Sequence, residues 1–147
     1  MFGRIGLALV LLVAVFQALG CAGDLDKYDS AMQAWTDRFD HTAHFPQIRF
    51  GDQGLPYLDG AEADAFVQTL KQLLAELETI RPPQEIAAEH QRLVEVYKRQ
   101  FETMEQYIAA ALAHDLASME RLNQSLEDNR EFEEAMMQLR QAMEAMR

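Results

Sequence analysis

Cysteine is all but missing from this sequence: Cys21 is the one thiol in 147 residues, so no disulfide can form within the chain. Basic residues are scarce as well. Arg4 is the only charged residue before Cys21, and from Cys21 onward 12 basic residues stand against 24 acidic ones, a formal charge of −12 with His neutral. The deficit is even, −6 over residues 24–83 and −6 over residues 84–147. Binding to nucleic acid depends on Lys and Arg displacing counterions from phosphates, so with no basic face it is set aside. Attraction to an anionic lipid surface fails for the same reason.

The parts of the common catalytic machineries are lacking too. There is no Gly-x-Ser-x-Gly elbow, no Gly-rich phosphate loop and no thiol besides Cys21. A di-iron bundle needs inward-pointing Glu-x-x-His motifs, and none occurs; Glu89 and His90 are adjacent and diverge on a helix. After the first twenty residues no further long apolar run follows, so a stable transmembrane helix is not expected.

Residues 1–20 have the three parts of an export signal. Arg4 supplies the basic start, residues 5–16 the apolar run, and Ala18-Leu19-Gly20 the small-residue exit. The exit leads directly into the lone cysteine, and Ala18-Leu19-Gly20-Cys21 resembles a bacterial lipobox. Gly20 and Cys21 match its usual form, while Ala18 is smaller and Leu19 larger than the residues it prefers. The resemblance covers residues 1–21. It implies cleavage after Gly20, a diacylglyceryl thioether on Cys21 and a further acyl chain, such as palmitate, on the freed amine. Each buried methylene contributes about 0.8 kcal/mol and a single acyl chain holds only marginally, so several chains are what keep such a protein on a membrane. Ala22 stands where an Asp commonly signals retention at the inner membrane, which points to the outer membrane, facing the periplasm. The Ala18-x-Gly20 exit also suits the general signal peptidase, which would leave a soluble product; the sole cysteine immediately after it favours lipidation.

The chain therefore divides into a signal peptide, residues 1–20, and a single mature domain, residues 21–147. Hydrophobic spacing makes that domain all-α: an antiparallel up-and-down bundle of four helices, with a long apolar loop between the first and the second. Helix 1, over residues 24–44, aligns Leu25, Tyr28, Met32, Trp35 and Phe39 on one stripe. Helix 2 opens on Asp59, a side chain suited to cap backbone amides, with Glu62 placed to reach back. It carries Phe66, Leu70, Leu73, Leu77 and Ile80, and ends at Pro82-Pro83. Helix 3 starts at Pro83 and places Ile86, Leu93, Tyr97, Phe101, Met104, Ile108 and Ala111 inward, with Glu89–Arg92 and Glu95–Arg99 as pairs along its outer side. A turn at His114-Asp115 precedes helix 4, over residues 116–146. Its stripe joins Leu116, Met119, Leu122 and Leu126 to Phe132, Met136, Leu139, Met143 and Met146, and Glu127-Asp128-Asn129-Arg130 interrupts it, leaving room for a kink or break.

Residues 45–59 hold Pro46, Gly51, Gly54 and Pro56, too many turn formers for a helix, yet also Phe45, Ile48, Phe50, Leu55, Tyr57 and Leu58. Such a loop is either a lid over one end of the bundle, which is favoured because it satisfies these side chains internally, or a contact surface.

No metal site and no cofactor are expected. His41 and His44, with Asp37 and Asp40 nearby, come nearest to a ligand set, but no second segment completes it. His90 lies on the apolar stripe of helix 3, where it reads as a partly buried imidazole with one hydrogen-bond partner, and His114 suits the negative end of that helix. The methionines of the last two helices fall mostly where Leu would serve, which makes them core; Met137 lies off the stripe. The expectation is a lipid-anchored envelope protein without enzymatic activity, bound to the membrane through Cys21 and to another envelope protein through a helix face or the loop. A bundle that binds a small ligand or metal is the alternative.

Overall fold

The computed structural model describes residues 23–146. It is an all-α bundle: α1 (Gly23–Thr42), a two-stranded hairpin of β1 (Arg49–Phe50) and β2 (Pro56–Tyr57), α2 (Gly60–Thr79), a 3-10 turn (Gln84–Ile86), α3 (Ala87–Leu112), α4 (Leu116–Glu127) and α5 (Arg130–Ala145). Four arms make the bundle, the last being α4 and α5 in succession. Every member of the α1 stripe is buried, as are Phe66, Leu70, Leu73 and Leu77 of α2. Among the described residues no helix is long and apolar enough to cross a membrane.

The central element is α3, which touches all the other helices. Along α1 it runs parallel, shown by three successive contacts: the Tyr28 and His90 rings at 5.5 Å, Trp35 and Tyr97 at 4.9 Å, and Phe39 stacked on Phe101 at 5.9 Å. Against α2 it runs antiparallel, with Lys71 paired to Glu105 near one end and His90 against the Leu77 carbonyl near the other. Against α5 it is antiparallel again, through Arg92 with Glu134 and Arg99 with Glu131. These bridges correct one expectation. Arg92 and Arg99 reach across to α5 rather than along α3 to Glu89 and Glu95, and Glu95 instead accepts a hydrogen bond from Gln91.

Helix ends follow local chemistry. The Asp59 side chain accepts from the amides of Ala61 and Glu62 and starts α2. Pro82-Pro83 prevents α2 from continuing, and Pro83 leads into the 3-10 turn rather than into the α-helix, which begins at Ala87. At its far end α3 closes with the amide of Asp115 bonded to the Ala110 carbonyl and that of His114 to Ala111. This double closure requires a left-handed residue, and here it is His114, at φ 58°, in a place that glycine usually takes.

The break in the fourth arm falls within the charged run. Asp128 turns its carboxylate onto the Arg130 guanidinium at 2.6 and 2.8 Å and onto the Arg130 amide at 3.3 Å. Such local bonds give the backbone an alternative to the helical ladder, and α5 restarts at Arg130. They also hold the Asp128 carboxyl down at about 2, through the Arg130 hydrogen bonds above all.

Candidate functional site

The loop after α1 divides its apolar residues between two destinations. Phe45 turns inward and meets Phe66 edge-on at 5.1 Å and Tyr107 at 5.8 Å; Ile48 packs beside the core, and Pro46, Pro56 and Leu58 are buried. To that extent the loop is a lid, as expected. Phe50, Leu55 and Tyr57 do otherwise: they remain 61, 42 and 47 % exposed.

A hairpin holds them out. Gly51 and Gly54 close its turn, the Gly54 amide donating to the Gly51 carbonyl at 2.8 Å and the Gly51 amide to the Leu55 carbonyl at 3.0 Å. Gly54 sits at φ +72°, which suits a residue without Cβ and shapes the bulge that follows such turns. Arg49 then faces Tyr57, and Phe50 faces Pro56. The guanidinium of Arg49 donates to the Tyr57 hydroxyl at 3.4 Å, and that bond is the main cause raising the Arg49 pKa.

The hairpin is tied to the bundle through His114. Its Nδ1 hydrogen-bonds the carbonyl of Pro56 at 2.5 Å, so Nδ1 carries the proton. The left-handed backbone at His114 is what turns the ring toward β2. Two residues away on either side stand Leu112 and Leu116, both exposed. Leu116 was expected in the core of helix 4; it is instead the first residue of α4, beyond the end of the packed stripe, and lies out at the hairpin end. Met146, at the opposite end of that stripe, is also exposed, whereas Met119, Met136 and Met143 are core.

The surroundings of this apolar end are acidic. Over residues 43–70 Arg49 is the only Lys or Arg, against Asp52, Asp59, Glu62 and Asp64, and on the side of the exposed leucines Arg121, bonded to Ser118 at 2.9 Å, lies close enough to Asp115 to act on its ionisation. Glu62 lies close enough to Arg49 to act on its ionisation. Asp115, beside His114, is held below the usual carboxylate range by hydrogen bonds from Ser118, and it caps α4.

The other residues singled out from the sequence lie elsewhere. Cys21 and the whole signal-like segment fall outside the described residues. His41 and His44 are exposed near the end of α1, and the His41 ring bonds the Asp37 backbone carbonyl at 2.5 Å, one turn back along the same helix. Among the described residues no group of three or more His, Cys, Asp or Glu is placed to hold a metal ion. His90 is more deeply buried than expected and has two partners instead of one: the Tyr28 hydroxyl at 2.9 Å from Nδ1 and the Leu77 carbonyl. Burial pushes its pKa down, which keeps the ring neutral. Met137 is exposed, as its place off the stripe foretold.

A groove of about 430 Å³ lies where the fourth arm breaks, floored by Val96, Leu126 and Phe132. Its two arginines are already engaged, Arg99 with Glu131 and Arg130 with Asp128. The hairpin end is therefore the better candidate: its exposed groups are unengaged apolar surface. Periodicity counted over helices passed over the two strands, although Arg49-Phe50 and Pro56-Tyr57 around Gly51-Asp52-Gln53-Gly54 have the form of a hairpin. No family model, curated protein or solved structure matches the chain.

Proposed function

We propose that this chain is a bacterial envelope lipoprotein, exported, cleaved after Gly20 and anchored by lipid on Cys21 to the outer membrane facing the periplasm, where it serves as a non-enzymatic protein-interaction module. One observation carries the reading: α1 starts at Gly23, two residues after Cys21, and ends at the loop that forms the apolar hairpin. With 20 residues at 1.5 Å each, α1 sets these two ends about 30 Å apart. Lipid on Cys21 would fix one pole of the bundle to the membrane and present the hairpin pole away from it. The acidic mature domain offers no basic surface to hold an anionic bilayer, so attachment falls to the acyl chains.

Mass spectrometry of the mature N-terminus tests the anchor. The expected species begins at Cys21 and carries the mass of a diacylglyceryl group and an additional acyl chain, and it fractionates with outer membranes. A Cys21→Ala chain should lose both properties. An unmodified Cys21 on a soluble product would end the proposal.

A further inference from the structure

We infer that the hairpin end docks onto a protein whose contact face is apolar at its centre and basic at its rim. This deepens the anchored-module reading above and rests on it. The centre follows from Phe50, Leu55 and Tyr57 on the hairpin with Leu112 and Leu116 beside them, which together account for five of the seven large exposed apolar side chains among the described residues. A stable monomer gains nothing from collecting them at one pole, and clustered aromatic and aliphatic side chains are what anchor protein interfaces. Tyr57 suits the task because its ring can be covered while its hydroxyl stays bonded to Arg49.

The rim follows from charge. Asp52 at the turn, Asp59 and Glu62 at the start of α2 and Asp115 at the start of α4 lie around the apolar centre, against two strong cations, Arg49 beside Tyr57 and Arg121 near Asp115. A basic partner is steered toward such a surface and an acidic one is turned away. The same rim argues against the other occupants of an apolar tip. Anionic headgroups would meet four carboxylates, and a second copy of this chain would bring its own four, within a mature domain of formal charge −12.

Site-specific photocrosslinking of the full-length chain in its own host tests the docking. Benzoylphenylalanine replaces Phe50 or Tyr57 in turn, with exposed Met137 on α5 as the control position. The expected result is one protein adduct from positions 50 and 57 and none from 137, with the crosslinked peptide lying in a Lys- and Arg-rich part of that protein. Adduct yield should fall about tenfold when Asp52→Lys and Glu62→Lys are combined, and severalfold for Asp52→Lys alone, a change confined to the exposed turn and therefore harmless to the fold. Four results would overturn the docking: no adduct from either hairpin position, an adduct with lipid, an adduct with a second copy, or a yield that charge reversal leaves unchanged. The mass of Cys21 read from the same cells separates the two proposals. Modified Cys21 without an adduct defeats the docking alone, and an adduct formed with unmodified Cys21 defeats the anchor alone.

Discussion

At the Gly23 pole the bundle encloses polar groups, and at the hairpin pole it exposes apolar ones. Tyr28, Leu77 and His90 all lie inside, and their polar atoms satisfy one another. The Leu77 carbonyl can only accept, so the imidazole donates to it, and the neutral ring then accepts the Tyr28 hydroxyl proton at Nδ1. Some 30 Å away Phe50, Leu55 and Tyr57 stand in water, though the same loop buries Leu58 and packs a partly buried Phe45 against the core. Stability alone accounts for the first pole, because a buried polar group is tolerable when it is paired. It does not account for the second, and the proposed docking surface rests on that contrast.

The contrast breaks first if the Gly23 pole is not tightly closed. Leu77 is fully buried beside His90, so Leu77→Ala removes apolar atoms and leaves a cavity that α1 and α3 can fill only in part. A loss of about 2–5 kcal/mol is expected in urea unfolding followed by circular dichroism. A loss below about 1 kcal/mol would show that the pole collapses freely and would remove the distinction between the two ends.

A smaller effect is expected from the polar pair itself. Tyr28→Phe leaves Nδ1 of His90 buried without a partner and should cost about 1–3 kcal/mol. The combination of Tyr28→Phe with His90→Leu removes both partners and should recover much of that loss; the Leu77 carbonyl keeps the Ile80 amide at 3.2 Å. Linkage gives a pH dependence with a definite sign. The folded pKa of His90 is lowered, so the unfolded chain takes up a proton that the folded chain refuses. Stability should be level above the ordinary histidine pKa of about 6.5, fall as pH drops through and below it, and level off again once the folded His90 also protonates. The double variant should lack this decline, and an identical decline in both proteins would place its origin in other groups.

How far the sequence revealed these poles depends on which physical signal each one uses. The helix stripes were legible because burial repeats at three and four residues: Leu25 to Phe39 on α1 and Phe66 to Leu77 on α2 stand inside as their spacing requires. The break near Asp128 was legible as a charged interruption, though its cause, the carboxylate folding back onto Arg130, is a matter of geometry. His90 was placed on the buried face, but its second partner comes from α2, thirteen positions back along the chain, and no local pattern encodes that. The hairpin end was legible only in half. An excess of apolar residues in a turn-rich loop signalled either cover or contact, and which side chains went in was decided by Phe45 finding Phe66 and Tyr107 and by His114 pinning Pro56. Leu116 misled because it continues the stripe of α4 one turn past the point where anything remains for it to pack against.

The smallest expected effect is the sharpest test of the comparison. If Phe50 and Leu55 serve contact and not folding, then Phe50→Ser and Leu55→Ser should each change stability by no more than about 0.5 kcal/mol, since exposed positions away from caps, cavities and strained backbone lie in that range. Gly54 keeps its left-handed turn in both variants, and His114 keeps its bond to Pro56, so the hairpin retains its shape. Urea unfolding gives the stability, and amide exchange at Gly51 and Gly54, whose N–H groups close the turn, reports whether the hairpin stays formed. A loss of 2 kcal/mol or more would mean that these side chains hold the loop onto the bundle, which would make the hairpin pole a second piece of core. Near-neutral stability with intact exchange protection leaves an apolar cluster that the fold neither needs nor hides, and folding then gives no reason for its presence.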